Sequence, residues 1–276
     1  MRIRVIDAFT DRPFAGNPAA VVLLDGDSWP DEHWMRRLAA EMKHSETAFA
    51  RPTPDDPDAD WALRWFTPAS ETDLCGHATL ATTHALHTDR GTPATVRFRS
   101  RSGILVAHSR DDGSITLDFP AATLSETPVP DGLVETLGAK PDATYRTGSL
   151  RDLLAVLPDE PAVRALTPDF VALTEVIQAN DFRGVIVTAP PADAGAGYDF
   201  VSRFFAPADA INEDPVTGSA HTALAPYWTD RLGRNGLTGL QASPRSGLVA
   251  TEVHGDRVHL TGRAVTVLDA TLYATP

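Results

Sequence analysis

The sequence predicts an α+β protein built from two related halves, each with a sheet wrapped around one central helix. Three short motifs occur twice in the same order, and each pair is separated by about half of the 276 residues. Ordered repetition of this kind indicates a duplication. In both halves, short strands precede an apolar helix and hairpins follow it. This order fits a sheet around a helix better than alternating βαβ units.

The repeated motifs are Arg-aromatic-Phe-x-Pro-Ala, then Gly-x-Ala-x-x-Ala, then Arg-Ser-Gly followed by apolar residues. Their paired positions are residues 64–69 and 203–208, 76–81 and 218–223, and 101–107 and 245–250. The halves define two predicted domains. The N-terminal domain is residues 1–120, completed by the C-terminal strand near 264–275, and the C-terminal domain is residues 121–263.

Individual elements follow from local patterns. Short segments rich in β-branched or aromatic residues, bounded by Gly, Pro or Asp, predict strands at 3–9, 19–24, 47–51 and 62–66. Residues 31–41 are typical of a surface helix. Helices at 76–88 and 217–232 are apolar on nearly all faces, which predicts that they are buried. The turns Asp111-Asp-Gly113 and Gly255-Asp256 predict hairpins, with strands at 95–98, 103–110 and 114–119, and at 248–254 and 257–262. Loops are expected near 120–130 and 190–197, and residues 125–180 give only weak signals.

The composition excludes several classes of protein. With 24 basic and 37 acidic side chains the net charge is −13, so nucleic acid or an anionic membrane would repel the chain. No apolar segment approaches the roughly 20 residues of a membrane span, and the N-terminus does not resemble a secretory signal. The single cysteine, Cys75, excludes an intrachain disulfide. A cytoplasmic globular protein with no membrane partner is expected.

The two repeated helix starts are the sharpest candidates for a binding site. A helix N-terminus carries unpaired N–H groups and a partial positive charge, and glycine allows close approach of a ligand. Gly76 and Gly218 open the two predicted helices. Carboxylate or phosphate binds readily at such a position, although each glycine could equally serve only to start a buried helix.

Polar residues of unusual kind surround these helix starts. His77 and Ser219 occupy equivalent places directly after the two glycines, and Asp214 lies four residues before Gly218. Glu46 stands at the edge of an apolar strand. Each residue also has a structural interpretation, because a histidine can cap a helix, an aspartate before proline can form a turn and one glutamate can lie on a solvated edge.

Five ordered motifs resemble one family. They are Gly-Asn-Pro-Ala-Ala-Val at 16–21, Ser-Glu-Thr-Ala-Phe at 45–49, Phe-Thr-Pro at 66–68, the Cys-Gly-His segment at 73–81 and the Glu-Asp-Pro-Val-Thr-Gly-Ser segment at 213–221. As a set they are similar to the PhzF-like phenazine-biosynthesis isomerases, which share the diaminopimelate epimerase fold. The resemblance spans residues 3 to about 270.

The resemblance implies two similar domains, each a mainly antiparallel barrel-like sheet around a central helix, with the active site between them. It also implies a homodimer, a role in secondary metabolism and no need for a cofactor or metal. In the phenazine enzyme a glutamate of the Ser-Glu-Thr motif shuttles a proton, and here that residue is Glu46. The catalytic residues implied are Glu46, His77, Asp214 and Ser219, and the substrate-binding residues implied are Asn17, Ser45, Gly76, Ala78 and Gly218.

These residue types suit the transfer of a proton between two carbons. One carboxyl group must both take and return the proton on one face of the substrate, and burial raises the pKa of such a group towards neutrality. The helix N-termini would neutralise a substrate carboxylate and the charge that develops beside it. The predicted function is therefore a cofactor-independent isomerase of a small unsaturated amino or hydroxy acid.

Two positions depart from the family pattern. Ala210 replaces a glycine that often precedes Ile-x-Glu-Asp-Pro, and Ser246 stands where a second glycine often follows arginine. Neither residue touches the proposed proton shuttle.

Other functions were weighed. The diaminopimelate epimerases use two cysteines, which a chain with one cysteine cannot do, but an epimerase or racemase with another acid–base pair remains open. A metal site built from Cys75, His77, His84 and His87 is disfavoured because His77 and His84 lie two helical turns, about 10.5 Å, apart. Common nucleotide-binding and serine-hydrolase motifs are absent. A non-catalytic small-molecule binding protein is the remaining alternative.

Overall fold

A computed structural model describes residues 1–274 and 276 and shows an α+β fold. Within this part of the chain there are six α-helices. They are α1 (Glu32–Met42), α2 (Gly76–Arg90), α3 (Leu133–Leu137), α4 (Glu160–Ala165), α5 (Phe170–Ala179) and α6 (Gly218–Leu232).

Eighteen strands accompany these helices in the described residues. The first eight are β1 (Arg2–Ala8), β2 (Asn17–Leu23), β3 (Glu46–Pro52), β4 (Trp61–Phe66), β5 (Glu71–Thr72), β6 (Thr95–Ser100), β7 (Gly103–Ser109) and β8 (Ile115–Pro120). The next six are β9 (Ser125–Glu126), β10 (Ala143–Arg146), β11 (Asp152–Val156), β12 (Gly184–Ala189), β13 (Phe200–Ala206) and β14 (Ile211–Asp214). The last four are β15 (Gly236–Gln241), β16 (Gly247–His254), β17 (Arg257–Gly262) and β18 (Ala264–Thr271).

The chain divides into two compact units. The first contains Met1–Asp118 and Thr261–Pro276, and the second contains Phe119–Leu260. The domain boundaries predicted from the sequence fall after residues 120 and 263, and they stay predictions.

The first unit is a mainly antiparallel sheet around α2. Strand β1 pairs antiparallel with β2 and β18, β3 with β4, and β6 with β7, whereas β2–β3 and β4–β6 are parallel. Helix α2 contacts β1, β2, β3, β7 and β18. Its first eight residues are all buried, because a helix surrounded by a sheet has no face left for water. The predicted buried helix is therefore confirmed.

The second unit repeats this plan around α6, which contacts β15 and β16. Strands β12 and β13 are antiparallel, β11–β12 and β13–β15 are parallel, and β15–β16 is antiparallel. The side of this sheet away from the α6 core carries a second apolar core. Residues of α3, α4 and α5, including Leu137, Val163 and Leu173, pack there with strand residues such as Val187 and Phe205.

The segment with weak sequence signals thus forms an additional helical layer. Its helices are short. The start signals of α4 and α5 are single aspartates, whereas α3 follows Gly132 and has no side-chain cap. Asp159 caps α4 through Ala162 N–H, and Asp169 caps α5 through Val171 and Ala172 N–H. Such short helices depend on tertiary packing, so periodicity alone does not predict them.

The loop expected near 190–197 is present, and Asp31 caps α1 as the predicted surface helix requires.

The repeated Arg-aromatic-Phe motif has the same structural role in both units. Arg64 on β4 donates two hydrogen bonds to Glu71 at 2.7 and 2.6 Å, and Arg203 on β13 donates two to Glu213 at 2.7 and 2.9 Å. Both glutamates lie on the short strand that returns the chain to the central helix. The planar guanidinium matches a carboxylate bidentately, so each arginine fixes the approach to a helix start.

No helix among residues 1–274 is long and apolar enough to cross a membrane.

The two departures from the family pattern share one backbone conformation. Ala210 has φ 61° and Ser246 has φ 60°, in the left-handed region that favours glycine. A left-handed residue with a side chain costs about 1–2 kcal/mol. The glycines expected at these positions would remove that strain.

We expect Ala210→Gly to raise the free energy of unfolding by about 0.5–1 kcal/mol, because relief of strain exceeds the added entropy of the unfolded chain. Urea unfolding followed by circular dichroism measures this difference. Ala208→Gly is the matched control. Ala208 lies in a 3₁₀ turn two residues earlier and packs against the apolar core, so its replacement should destabilise the protein. Equal destabilisation by both substitutions would contradict the strain argument.

Candidate active site

Four of the predicted site residues of the first unit come together at one edge of its sheet. Strands β2 and β3 run parallel, with Ala19 beside Glu46, so both strands begin at the same edge. Asn17 is the first residue of β2 and Glu46 the first of β3. His77, the second residue of α2, lies against them.

A chain of contacts joins these side chains. The Ser45 hydroxyl donates to Asn17 Oδ1 at 3.2 Å, and Asn17 Nδ2 lies 3.1 Å from His77 Nδ1. His77 Nε2 lies 3.3 Å from Glu46 Oε2. Sequence reasoning assigned Asn17 and Ser45 to the substrate. Asn17 contacts His77, and Ser45 holds Asn17, so both side chains position the imidazole. Their contact with a substrate stays a prediction.

This series of side-chain contacts selects one tautomer of His77. Because Oδ1 of Asn17 accepts from Ser45, its Nδ2–H group faces the histidine, and an amide N–H can only donate. His77 Nδ1 therefore accepts, and the ring proton resides on Nε2. That proton-bearing nitrogen is the one beside Glu46.

His77 is also held neutral. The ring is 4% exposed, and burial, with a smaller contribution from His44, lowers its pKa to about 3. Desolvation penalises the imidazolium form. At physiological pH the glutamate thus faces a neutral N–H group rather than a cation, and such a group can orient a carboxyl without holding it permanently ionised.

The first turn of α2 has no side-chain cap. Cys75 is the N-cap residue and makes no capping hydrogen bond through its side chain. Gly76, His77 and Ala78 are all buried and form the first turn. Their N–H groups supply the positive end of the helix dipole directly beside Glu46 and His77.

The second unit holds its candidate residues in a different network. Asp214 ends β14 and accepts a hydrogen bond from the Thr217 hydroxyl. Gln241, which is fully buried, accepts from Thr217 N–H at 2.8 Å and donates to Asp214 O at 2.8 Å. The glutamine amide thereby fixes the segment between Asp214 and Gly218.

Ser219 is the second residue of α6, as His77 is of α2, so the predicted equivalence of their positions is confirmed. Its neighbours are different. Arg183 Nη2 donates to Ser219 Oγ at 2.9 Å, and the same guanidinium forms a bidentate pair with Asp152. Burial raises the pKa of the Asp152 carboxyl, and the Arg183 charge opposes the rise.

Sequence reasoning missed Gln241, Arg183 and Asp152. Asp152 is the first residue of the apolar segment 152–156, and Arg183 directly precedes the apolar segment 184–189. A charged residue at the start of a buried strand was the available signal. No sequence signal marked Gln241, because its hydrogen-bond partners Thr217 and Asp214 lie 24 and 27 residues away in the chain.

The histidines of the metal alternative do not converge. His84 Nε2 lies 3.1 Å from Thr266 Oγ1, on the β18 side of the helix. Glu46, Cys75 and His77 do place donor atoms within 4.8 Å of one another. However, Asn17 keeps the proton on His77 Nε2, and a nitrogen that carries a proton has no lone pair for a metal. This cluster is better suited to proton transfer.

Comparisons with known proteins agree with the fold and the motifs. The family model described as "Phenazine biosynthesis-like protein" (PhzC-PhzF) matches residues 6–270. A relative named an uncharacterized isomerase, from Pseudomonas aeruginosa, is 44% identical over 269 residues, which cover 97% of each chain. A crystal structure of a PhzF-family protein from Enterococcus faecalis is 41% identical, with a TM-score of 0.88 and coverage of 99% of this chain and 98% of that one.

The fold also extends to more distant enzymes. A hydroxyproline epimerase from Agrobacterium vitis has a TM-score of 0.62 at 15% identity, covering 98% of this chain and 91% of that one, and this likeness shows the fold alone. The molecule is an isomerase with the two-unit α+β fold. More particularly, the chain belongs to the phenazine biosynthesis-like (PhzC-PhzF) family, which confirms the resemblance found in the sequence.

We expect His77 to stay neutral, with its proton on Nε2, down to about pH 5, because its pKa is lowered to about 3. Long-range ¹H–¹⁵N correlation spectra of histidine-labelled protein report this state directly. A histidine peptide in the same buffer, which ionises near pH 6.5, is the control.

The variant Asn17→Asp tests the cause of the tautomer. A carboxylate in place of the amide would accept from the ring, so the proton should move to Nδ1. A wild-type spectrum with the proton already on Nδ1 would contradict the assigned contacts.

Proposed function

We propose that this protein is a cofactor-independent isomerase that moves a proton, and with it a double bond, within a small unsaturated amino or hydroxy acid. Glu46 acts as the acid–base group. The observation that carries the proposal is the contact of Glu46 Oε2 with His77 Nε2 at 3.3 Å, on a ring that burial keeps neutral.

Glu46 has the properties that a returning base needs. Its side chain is 14% exposed, so bulk water competes weakly for the proton it carries. In the proposed reaction the Glu46 carboxylate removes a proton from one carbon, and the C–H electron pair forms a new double bond. The existing double bond shifts, and Glu46 returns the same proton to the carbon at its far end. Charge and atoms balance without an added oxidant or reductant.

His77 and the first turn of α2 support the charge that develops in this step. His77 Nε2 lies 3.3 Å from Glu46 Oε2, and because the ring is neutral it does not hold the Glu46 carboxyl group in one protonation state. The substrate carboxylate would bind the N–H groups of Gly76 and Ala78, because a helix N-terminus favours anions. Electron density that flows towards that carboxylate during deprotonation is stabilised at the same place.

We assign Asp214 and Ser219 to binding of the substrate, with Gly218 supplying backbone N–H. The Asp214 carboxylate accepts from the Thr217 hydroxyl, and a carboxylate is suited to accept from an amine of the substrate. Since Arg183 donates to Ser219 Oγ, the serine proton is directed outward to an oxygen of the substrate.

The epimerase alternative involves Cys75. Its Sγ lies 3.5 Å from His77 Nδ1, so a thiol is present next to the acid–base group. With one cysteine in the chain, a two-thiol mechanism is excluded. The homodimer, the cytoplasmic location and the role in secondary metabolism stay predictions.

A deuterium wash-in screen tests the proposal. A panel of small 2-amino and 2-hydroxy acids with ring or chain double bonds is incubated with enzyme in D₂O and followed by ¹H NMR. We expect a shifted double bond for at least one acid, with only partial deuterium incorporation, because the Glu46 carboxyl group exchanges its proton with D₂O in a fraction of turnovers. Glu46→Gln should lower this rate by about 10²–10⁴-fold, the usual contribution of a general acid–base group.

Glu41→Gln is the matched control, since Glu41 is an exposed residue of α1. Full activity of Glu46→Gln would remove Glu46 from the mechanism. Inversion at one carbon without movement of a double bond, lost in Cys75→Ala, would favour the epimerase alternative. Binding of an acid with neither a shifted double bond nor deuterium exchange would favour a non-catalytic binding protein.

A further inference from the structure

We propose that the tip of the β16–β17 hairpin is a binding site for a divalent transition-metal ion of the Zn²⁺ type, with Glu252, His254 and His259 as ligands. One donor atom from each of these residues lies within 4.8 Å of the other two. The site belongs to the second unit and is independent of the proposed isomerase reaction.

The hairpin places the three side chains on one face. Residues 255 and 256 form the turn between β16 and β17. Glu252 and His254 are two residues apart on β16, and alternate residues of a strand share a face. The ring of His259 on β17 lies 4.4 Å from that of His254, centroid to centroid. His259 therefore projects on the same side of the hairpin.

The distance between the donor atoms matches two ligands of a tetrahedral ion better than a direct ion pair. Glu252 Oε1 lies 3.4 Å from His254 Nε2, which exceeds the usual 2.7–3.2 Å of a hydrogen bond. Two ligands bonded to zinc at about 2.0–2.1 Å in tetrahedral geometry are about 3.4 Å apart. The side chains of His254 and Glu252 are 45% and 50% exposed, so an ion can enter directly from water.

The donor set defines the class of metal. Two imidazole nitrogens and one carboxylate oxygen suit Zn²⁺, with water in the fourth position, and the affinity order of first-row ions predicts tighter binding of Cu²⁺. Mg²⁺ and Ca²⁺ prefer oxygen ligands and fit poorly.

Neighbouring charges tune the affinity of this site. Arg257 is two residues before His259 on β17 and shares its face, so its positive charge opposes a bound cation. Asp256 in the turn adds a negative charge nearby. Removal of the Arg257 charge should therefore tighten metal binding.

Calorimetric titration of metal-free protein with ZnCl₂, in a non-coordinating buffer near neutral pH, tests the site. We expect one zinc ion per chain. His254→Gln and His259→Gln should each weaken binding at least about tenfold, or about 1.4 kcal/mol, and Arg257→Gln should strengthen it severalfold. Electron paramagnetic resonance of the Cu²⁺ complex should show coupling to two nitrogens, reduced to one in His254→Gln.

Two controls separate this site from other donors. His33→Gln removes an exposed histidine of α1, and Cys75→Ser alters the cluster beside Glu46. Neither should change zinc affinity. The proposal is overturned if zinc does not bind, if His254→Gln binds it as tightly as the wild type, or if Cys75→Ser abolishes binding. Activity in the deuterium screen is not needed for any of these outcomes.

Discussion

The neutrality of one buried imidazole is the constraint on which the candidate site depends. A protonated His77 would form an ion pair with Glu46 and hold that carboxyl in its ionised form. The structure prevents this by enclosing the ring and by placing an amide donor, Asn17, against Nδ1. Ser45 in turn fixes the amide through Oδ1. Two polar side chains thus determine which nitrogen of His77 carries the proton beside Glu46, and neither of them must carry a charge to do so.

The two halves use one scaffold to hold two different polar networks. In each, a bidentate Arg–Glu pair anchors the strand that leads to a buried helix, and the residue after the opening glycine projects a polar side chain. The first half surrounds this residue with neutral hydrogen-bonding groups. The second half places Arg183 beside it, paired with the buried Asp152, and the Gln241 amide holds the segment that leads to it. Both halves keep the same framework, and the proposed separation of proton transfer from substrate binding depends on the few positions at which the two networks differ.

Much of this arrangement was predictable from the sequence because it depends on local patterns. The central helices were visible from their all-round apolar composition, and the equivalence of His77 and Ser219 followed from the repeated motif. The three helices between residues 133 and 179 were not predicted, since α3 and α4 span only five and six residues and are stabilised by packing. The pairing of Asn17 with His77 spans 60 residues, and no local pattern indicates which side chain will fill such a contact. The family motif supplied both residues, with Asn17 expected to bind the substrate and His77 to be catalytic, and these roles stay predictions.

The additional helical layer of the second unit has a consequence for how the two halves can diverge. Every residue of β12 and β13 is buried, because apolar cores cover both faces of these strands. Most substitutions there would introduce a void or an overlap, and either would be removed by selection. The corresponding first-half strands β3 and β4 still contain partly exposed positions. The second half of the gene should therefore accumulate neutral changes in its strands more slowly than the first.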